Sequence, residues 1–106
     1  MSSAKPTRYS LAPKALNDFE EAWRYTAETW SIQQADLYID QLTGVFETLV
    51  SAPALGREWT EFTPPVRIHP LKHHMIVYVV TDDAVVIIRI LGGSQNWRAI
   101  LQAIET

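Results

Sequence analysis

Residues 73–91, HHMIVYVVTDDAVVIIRIL, are two apolar runs flanking a polar turn, and one charge interrupts the runs themselves: Arg89. A guanidinium among Val and Ile is costly to desolvate unless it is paired or reaches solvent. Two chemistries are open to it. Its stem can lie along a sheet while its head pairs with an acidic neighbour. Alternatively, it can face an anion from an open sheet surface. Arg67 and Lys72 would join it in a small basic patch if strand register permits.

Other chemistry-bearing residues are less suggestive. His69, His73 and His74 are close in sequence, and imidazoles bind metals. Yet adjacent residues of a strand point to opposite faces, and no carboxylate joins the group, so no metal is expected. Asp82 and Asp83 sit in a turn, where their side chains serve the backbone rather than acid–base chemistry. Gly92-Gly93 opens GGSQN, which lacks the spacing and Lys of a phosphate loop. There is no cysteine, hence no disulfide framework and no thiolate metal site. No cofactor is expected.

The elements that must position these residues follow from patterning. Residues 73–91 read as an antiparallel hairpin around the turn at 81–84, inside a sheet and covered on at least one face. Residues 7–11 alternate like a short strand. Ala12-Pro13 opens a helix whose expected buried stripe is Leu16, Phe19, Trp23, Thr26, Ala27 and Trp30. Ser31-Ile32-Gln33-Gln34 is a capping box, so a second helix starts at once and forms an antiparallel helical hairpin with the first. Its apolar face is Ala35, Tyr38, Ile39, Leu42, Val45, Phe46, Leu49 and Val50, ending before Pro53. Gly44 inside it suggests close packing.

Residues 53–65, PALGREWTEFTPP, read as a long loop. Trp59 and Phe62 are large for a loop; they either tuck onto the core or meet a partner. Residues 66–69 form a strand candidate, with 70–72 as a short connection. Asn96 can cap a last short helix with Trp97, Ile100, Leu101 and Ile104 on one face. Grouped helices and hairpin-linked strands give an α+β domain: an N-terminal strand, then a helical hairpin packed on a small antiparallel sheet, then a short C-terminal helix.

A chain of 106 residues suggests one domain spanning 1–106. The N-terminal MSSAKPTRYS has no apolar leader pattern and no run could span a bilayer, so a cytoplasmic location is the expectation. Net charge is −3, unevenly spread: residues 13–52 carry −5 and the remainder +2. The acidic helices are either a solvated face or an acidic docking surface. A protein living on phosphate contacts shows a basic field, which is not present here.

Four segments together resemble the ParE branch of the RelE/ParE toxin superfamily. They are YSLAPKALNDFEEAWRYTAETW, QADLYIDQLTGVFETL, the PALGRE loop and HHMIVYVVTDDAVVIIRILGG. The resemblance runs from about residue 9 to 101, and its specificity lies in the order and spacing of these segments. It implies a toxin of a type II toxin–antitoxin module that inhibits DNA gyrase and is neutralised by a ParD-like antitoxin wrapping the helical hairpin and sheet. It further implies contact with nucleic acid only indirectly, through the antitoxin complex. RelE-type relatives instead cleave mRNA on the ribosome, with basic sheet residues and a Tyr or His near the C-terminus. The acidic chain, and the lack of Tyr or His after Tyr78, favour the ParE reading and a binder rather than a catalyst. Many relatives carry His and Arg just after the last strand, where this chain has Gly92, Gly93 and Ser94. The alternatives are a RelE-like endoribonuclease, or an inactive module that only binds its antitoxin. Aromatic and arginine anchors dominate interfaces. On that basis the expected target contacts are Arg89, Trp97 and Arg98, and the expected antitoxin contacts are Trp23, Tyr38 and Trp59.

Overall fold

The computed structural model describes residues 5–93 and 95–104. Strand β1 (Arg8–Leu11) leads into helices α1 (Pro13–Thr29) and α2 (Ile32–Ser51). After a 3-10 turn at Pro53–Leu55 come β2 (Arg57–Trp59), β3 (Val66–Leu71), β4 (His74–Val80) and β5 (Ala84–Gly92), then helix α3 (Trp97–Ile104). The five strands form one sheet in the order β1-β5-β4-β3-β2. β2 through β5 are joined antiparallel, whereas β1 lies parallel to β5, with Arg8 opposite Ala84 and Leu11 opposite Ile87. Helices α1 and α2 form the long crossover that connects β1, at one edge of the sheet, to β2 at the other.

The central hairpin is β4 and β5, as the sequence predicts. Its turn is held locally: the Thr81 N–H donates to the Ala84 carbonyl at 2.8 Å, and the Ala84 N–H to Thr81 Oγ1 at 3.1 Å. Asp83 serves the backbone in a further way, because its carbonyl accepts the Thr7 N–H at 3.0 Å and so tethers the start of β1. Register runs Val80–Val85, Val79–Val86 and Tyr78–Ile87, then jumps to Val77–Arg89. Ile88 is therefore the extra residue of a β-bulge, a device that re-aims neighbouring side chains.

Both sheet faces are covered. On one, Ile76, Tyr78, Val85, Ile87 and Ile90 pack against Ala15, Ala22, Tyr38, Leu42, Phe46 and Leu49 of the helical hairpin. On the other, Val66, Ile68, Val77 and Leu91 pack with Phe62 and Leu101. Phe62 is thus buried core, and Trp59 is half-buried against it. Ser94 and the side chain of Ile104, expected near and on the inward face of the last helix, lie outside the described residues.

Four expectations are corrected. The first concerns α1, which approaches the sheet through small residues. Ala15 and Ala22 are buried, while Leu16 is 49% and Trp30 73% exposed. Trp30 is the residue after the helix, not part of its stripe. Second, the supposed loop at 53–65 holds β2, a three-residue strand on the edge of the sheet. Third, β3 runs on through Pro70 to Leu71, so the connection to β4 is a tight turn at Lys72-His73. Lys72 adopts φ 53°, the left-handed region that a non-glycine residue visits at a cost. Fourth, Gly44 packs against nothing, since a Cβ there would meet no atom within 4 Å. The glycine that does permit close approach is Gly56, where a Cβ would fall 2.6 Å from the Tyr78 hydroxyl. That hydroxyl accepts the Gly56 N–H at 2.8 Å and donates to the Pro53 carbonyl at 2.7 Å, locking the turn that delivers β2.

Candidate functional site

Arg89 is paired. Its Nε and Nη2 donate to the two carboxylate oxygens of Asp18 at 2.7 and 3.0 Å, and Asp18 Oδ2 also accepts the Ile90 N–H at 2.9 Å. β1 stops opposite Ile87, so the outer edge of β5 beyond it has no strand partner. Asp18, from α1, covers that edge. The side chains are 16% and 14% exposed, and Asp18's hydrogen bonds hold the Arg89 guanidinium above its ordinary pKa. The acidic-neighbour reading of Arg89 holds, and its head is not free to face an anion. Nor does a basic patch form: Arg67 is turned to the 3-10 turn, donating to the Gly56 carbonyl at 2.7 Å.

Two other surfaces gather chemistry-bearing side chains. The first is a cleft of about 320 Å³ between the helical hairpin and the Lys72-His73 turn. Tyr25 and Trp30 line it from α1 and its end, Leu37 and Tyr38 from α2, and Lys72, His73 and His74 from the sheet side. Tyr25, Trp30 and Leu37 are 64%, 73% and 57% exposed, which leaves large apolar side chains facing water. At its floor the Tyr38 hydroxyl lies 2.6 Å from His74 Nδ1 and 3.2 Å from the Leu71 carbonyl. Burial pushes the Tyr38 phenol up to about 12, so it remains protonated. Burial, then the adjacent His73, hold His74 below its usual pKa, with Asp18 partly opposing them. His74 is therefore biased towards the neutral form.

The second surface lies on the other side of the sheet. Trp59 and Trp97 meet edge to face with ring centres 5.1 Å apart, and Phe62 stands 6.3 Å from Trp97. Arg98 lies 5.0 Å from the Trp59 ring centre and 4.8 Å from that of Trp97, while Arg57 covers Trp59 at 4.4 Å. Cations over indole faces are attracted by the ring quadrupole. Glu61 pairs with Arg98.

The structure thus regroups the residues singled out from sequence. Trp97 and Arg98 do lie together, but their third member is Trp59, not Arg89. Tyr38 lines the cleft; Trp23 instead joins the two helices, its Nε1 donating to Asp36 at 3.0 Å. Tyr25, Trp30 and Leu37 were missed as a surface. Tyr25 and Leu37 fall off the apolar stripes of their helices, and that displacement is the signal that could have found them.

Similar proteins give this geometry a context. Residues 9–97 match the family model described as ParE toxin of type II toxin-antitoxin system, parDE. The chain is 30% identical over 86 residues to Toxin ParE1 of Mycobacterium tuberculosis, covering 80% of this chain and 88% of that one. It is also 30% identical over 91 residues to Toxin ParE1 of Caulobacter vibrioides, covering 86% and 94%. Among solved structures, a chain of the chromosomal ParDE TA system from P. aeruginosa superposes with a TM-score of 0.70 at 16% identity. That match covers 86% of this chain and 98% of the other, and it shows a shared fold.

Proposed function

Because this chain belongs to the ParE toxin family of type II toxin–antitoxin systems, we propose that it arrests growth by binding DNA gyrase and that a ParD-like antitoxin holds it inactive. The observation that carries the protein-target reading is the Trp59–Trp97–Arg98 cluster. Trp and Arg are the residues that most often dominate binding energy at protein interfaces. Trp97 and Arg98 are the target contacts, with Trp59 and Arg57 completing the surface. Arg89 supports the end of β5 through Asp18 rather than reaching a partner. The antitoxin takes the helical side, where Tyr38 contributes directly and Trp23 by setting the spacing of α1 and α2.

Gyrase is the target implied by the resemblance of the sequence to ParE toxins. The purified chain, titrated into a gyrase supercoiling assay, is expected to abolish supercoiling, and Arg98→Ala is expected to weaken that effect. Supercoiling that persists at large excess of the chain removes gyrase as the target. Cleavage of transcripts in translating ribosomes would replace this reading with a nuclease. Normal growth on expression of the chain alone would leave antitoxin binding as its function.

A further inference from the structure

The helical hairpin and the turn beside it carry both halves of a self-complementary contact. Where α1 ends and α2 begins, Tyr25, Trp30 and Leu37 are 64%, 73% and 57% exposed around the cleft. Three large apolar side chains gathered on one surface mark an association site rather than ordinary surface. The opposite wall of the cleft is basic: Lys72 and His73 line it, and no acidic side chain does. An occupant therefore needs apolar bulk with a carboxylate beside it. The hairpin itself has that chemistry. Residues 13–52 carry net −5, and exposed Glu28 stands three positions after Tyr25 and two before Trp30. Among the described residues neither Glu28 nor Lys72 has an ion-pair partner, whereas Glu21 is held by Arg24 and Asp18 by Arg89.

We propose that this surface is a twofold contact between two copies of the chain. Tyr25, Trp30 and Leu37 of each copy pack against the same residues of the other, and Lys72 of each pairs with Glu28 of the other. A patch that meets itself closes after two copies, so the product is a dimer and not a filament. Apolar and aromatic side chains at the centre with charges at the rim are the anatomy of homodimer interfaces. Each chain carries net −3, which opposes association in general. The two symmetry-related Lys72–Glu28 pairs offset that locally and fix the register. The Trp59–Trp97–Arg98 clusters stay uncovered in such a dimer, because the sheet lies between them and the contact. The pairing goes beyond the toxin reading and does not depend on it. An antitoxin on the helical side has to displace the second copy.

The test is the oligomeric state of the purified full-length chain alone, measured by sedimentation up to the millimolar range. The natural chain is expected to form a concentration-dependent dimer. Leu37→Asp, Lys72→Glu and Glu28→Lys should each weaken it by roughly tenfold or more. Lys72→Glu combined with Glu28→Lys should restore it, because the pair is re-formed with its charges exchanged. All three positions are exposed, so thermal melts of the variants at dilutions where every chain is monomeric should match the parent. Lys14→Glu, at the opposite end of α1, changes the net charge as Lys72→Glu does and should leave the dimer within about twofold. A chain that sediments as a monomer throughout overturns the proposal. A dimer that Leu37→Asp leaves within about twofold lies on another surface and overturns it too. Equal weakening by Lys14→Glu, or no recovery in the double variant, overturns the Lys72–Glu28 pair. Growth beyond two copies overturns the twofold contact. Each of these outcomes leaves the antitoxin reading standing, since no second protein enters the measurement.

Discussion

Replacing Asp18 with Ala strips two partners at once: the Arg89 guanidinium and the Ile90 N–H at the uncovered edge of β5. The pair is half-buried, so deleting one member leaves the other charge only partly compensated by water, which costs about 1–3 kcal/mol. Asp18→Ala is therefore expected to lower the urea midpoint strongly. The double substitution Asp18→Leu with Arg89→Leu should recover most of the loss, because an apolar replacement of both partners is often near neutral. Equal midpoints for the single and double variants would show that the backbone hydrogen bond to Ile90, not the charge pair, carries the stability.

His74 gives a second residue-scale prediction, with a definite sign. Its folded pKa is lowered, chiefly by burial and then by His73, against the partial support of Asp18. The unfolded chain therefore binds the proton more readily than the folded one. Stability is fully present above the ordinary histidine value of about 6.5 and falls as pH drops below it towards the lowered folded value. Thermal melts at about pH 7.5 and about pH 5.5 should show a decrease that shrinks in His74→Gln. An unchanged decrease in that variant would assign the effect to other groups.

At the scale of elements, α2 shows how local chemistry sets boundaries. The Ser31 hydroxyl accepts the Gln34 N–H at 3.0 Å, so Ser31→Ala should cost about 1 kcal/mol. Gly44 sits exposed in the middle of the same helix with open space around it. Gly44→Ala should therefore stabilise the chain by about 1 kcal/mol. Opposite shifts in the denaturation midpoint check both; a destabilising Gly44→Ala would mean that its backbone is approached closely after all. Such features are legible in sequence because cap and helix lie within a few residues of each other. The β4–β5 hairpin is legible for the same reason. β2 was not, because three residues, two of them charged, carry no period, and its placement depends on Tyr78 gripping Gly56 across 22 residues. Bulk alone predicts an inward-facing Leu16 and Trp30, whereas close approach to the sheet selects Ala15 and Ala22. The partner of Arg89 lies 71 positions away, beyond any local pattern.

At the scale of the molecule, the sheet separates the two candidate surfaces. The hairpin and its cleft belong to the side packed on Ile76, Tyr78 and Ile87, and the Trp59–Trp97–Arg98 cluster to the side packed on Val77 and Leu91. An occupant of the cleft therefore does not cover the aromatic cluster by contact alone. An antitoxin can block the target only by extending around the molecule or by adding bulk that clashes with the target. If gyrase binds the aromatic side, a short peptide that fills the cleft should bind the chain yet leave gyrase inhibition intact, while the full-length antitoxin relieves it. Supercoiling assays with each added to saturation make the comparison. Relief by the cleft peptide alone would mean that gyrase itself uses the helical side, and that toxin target and antitoxin compete for one surface.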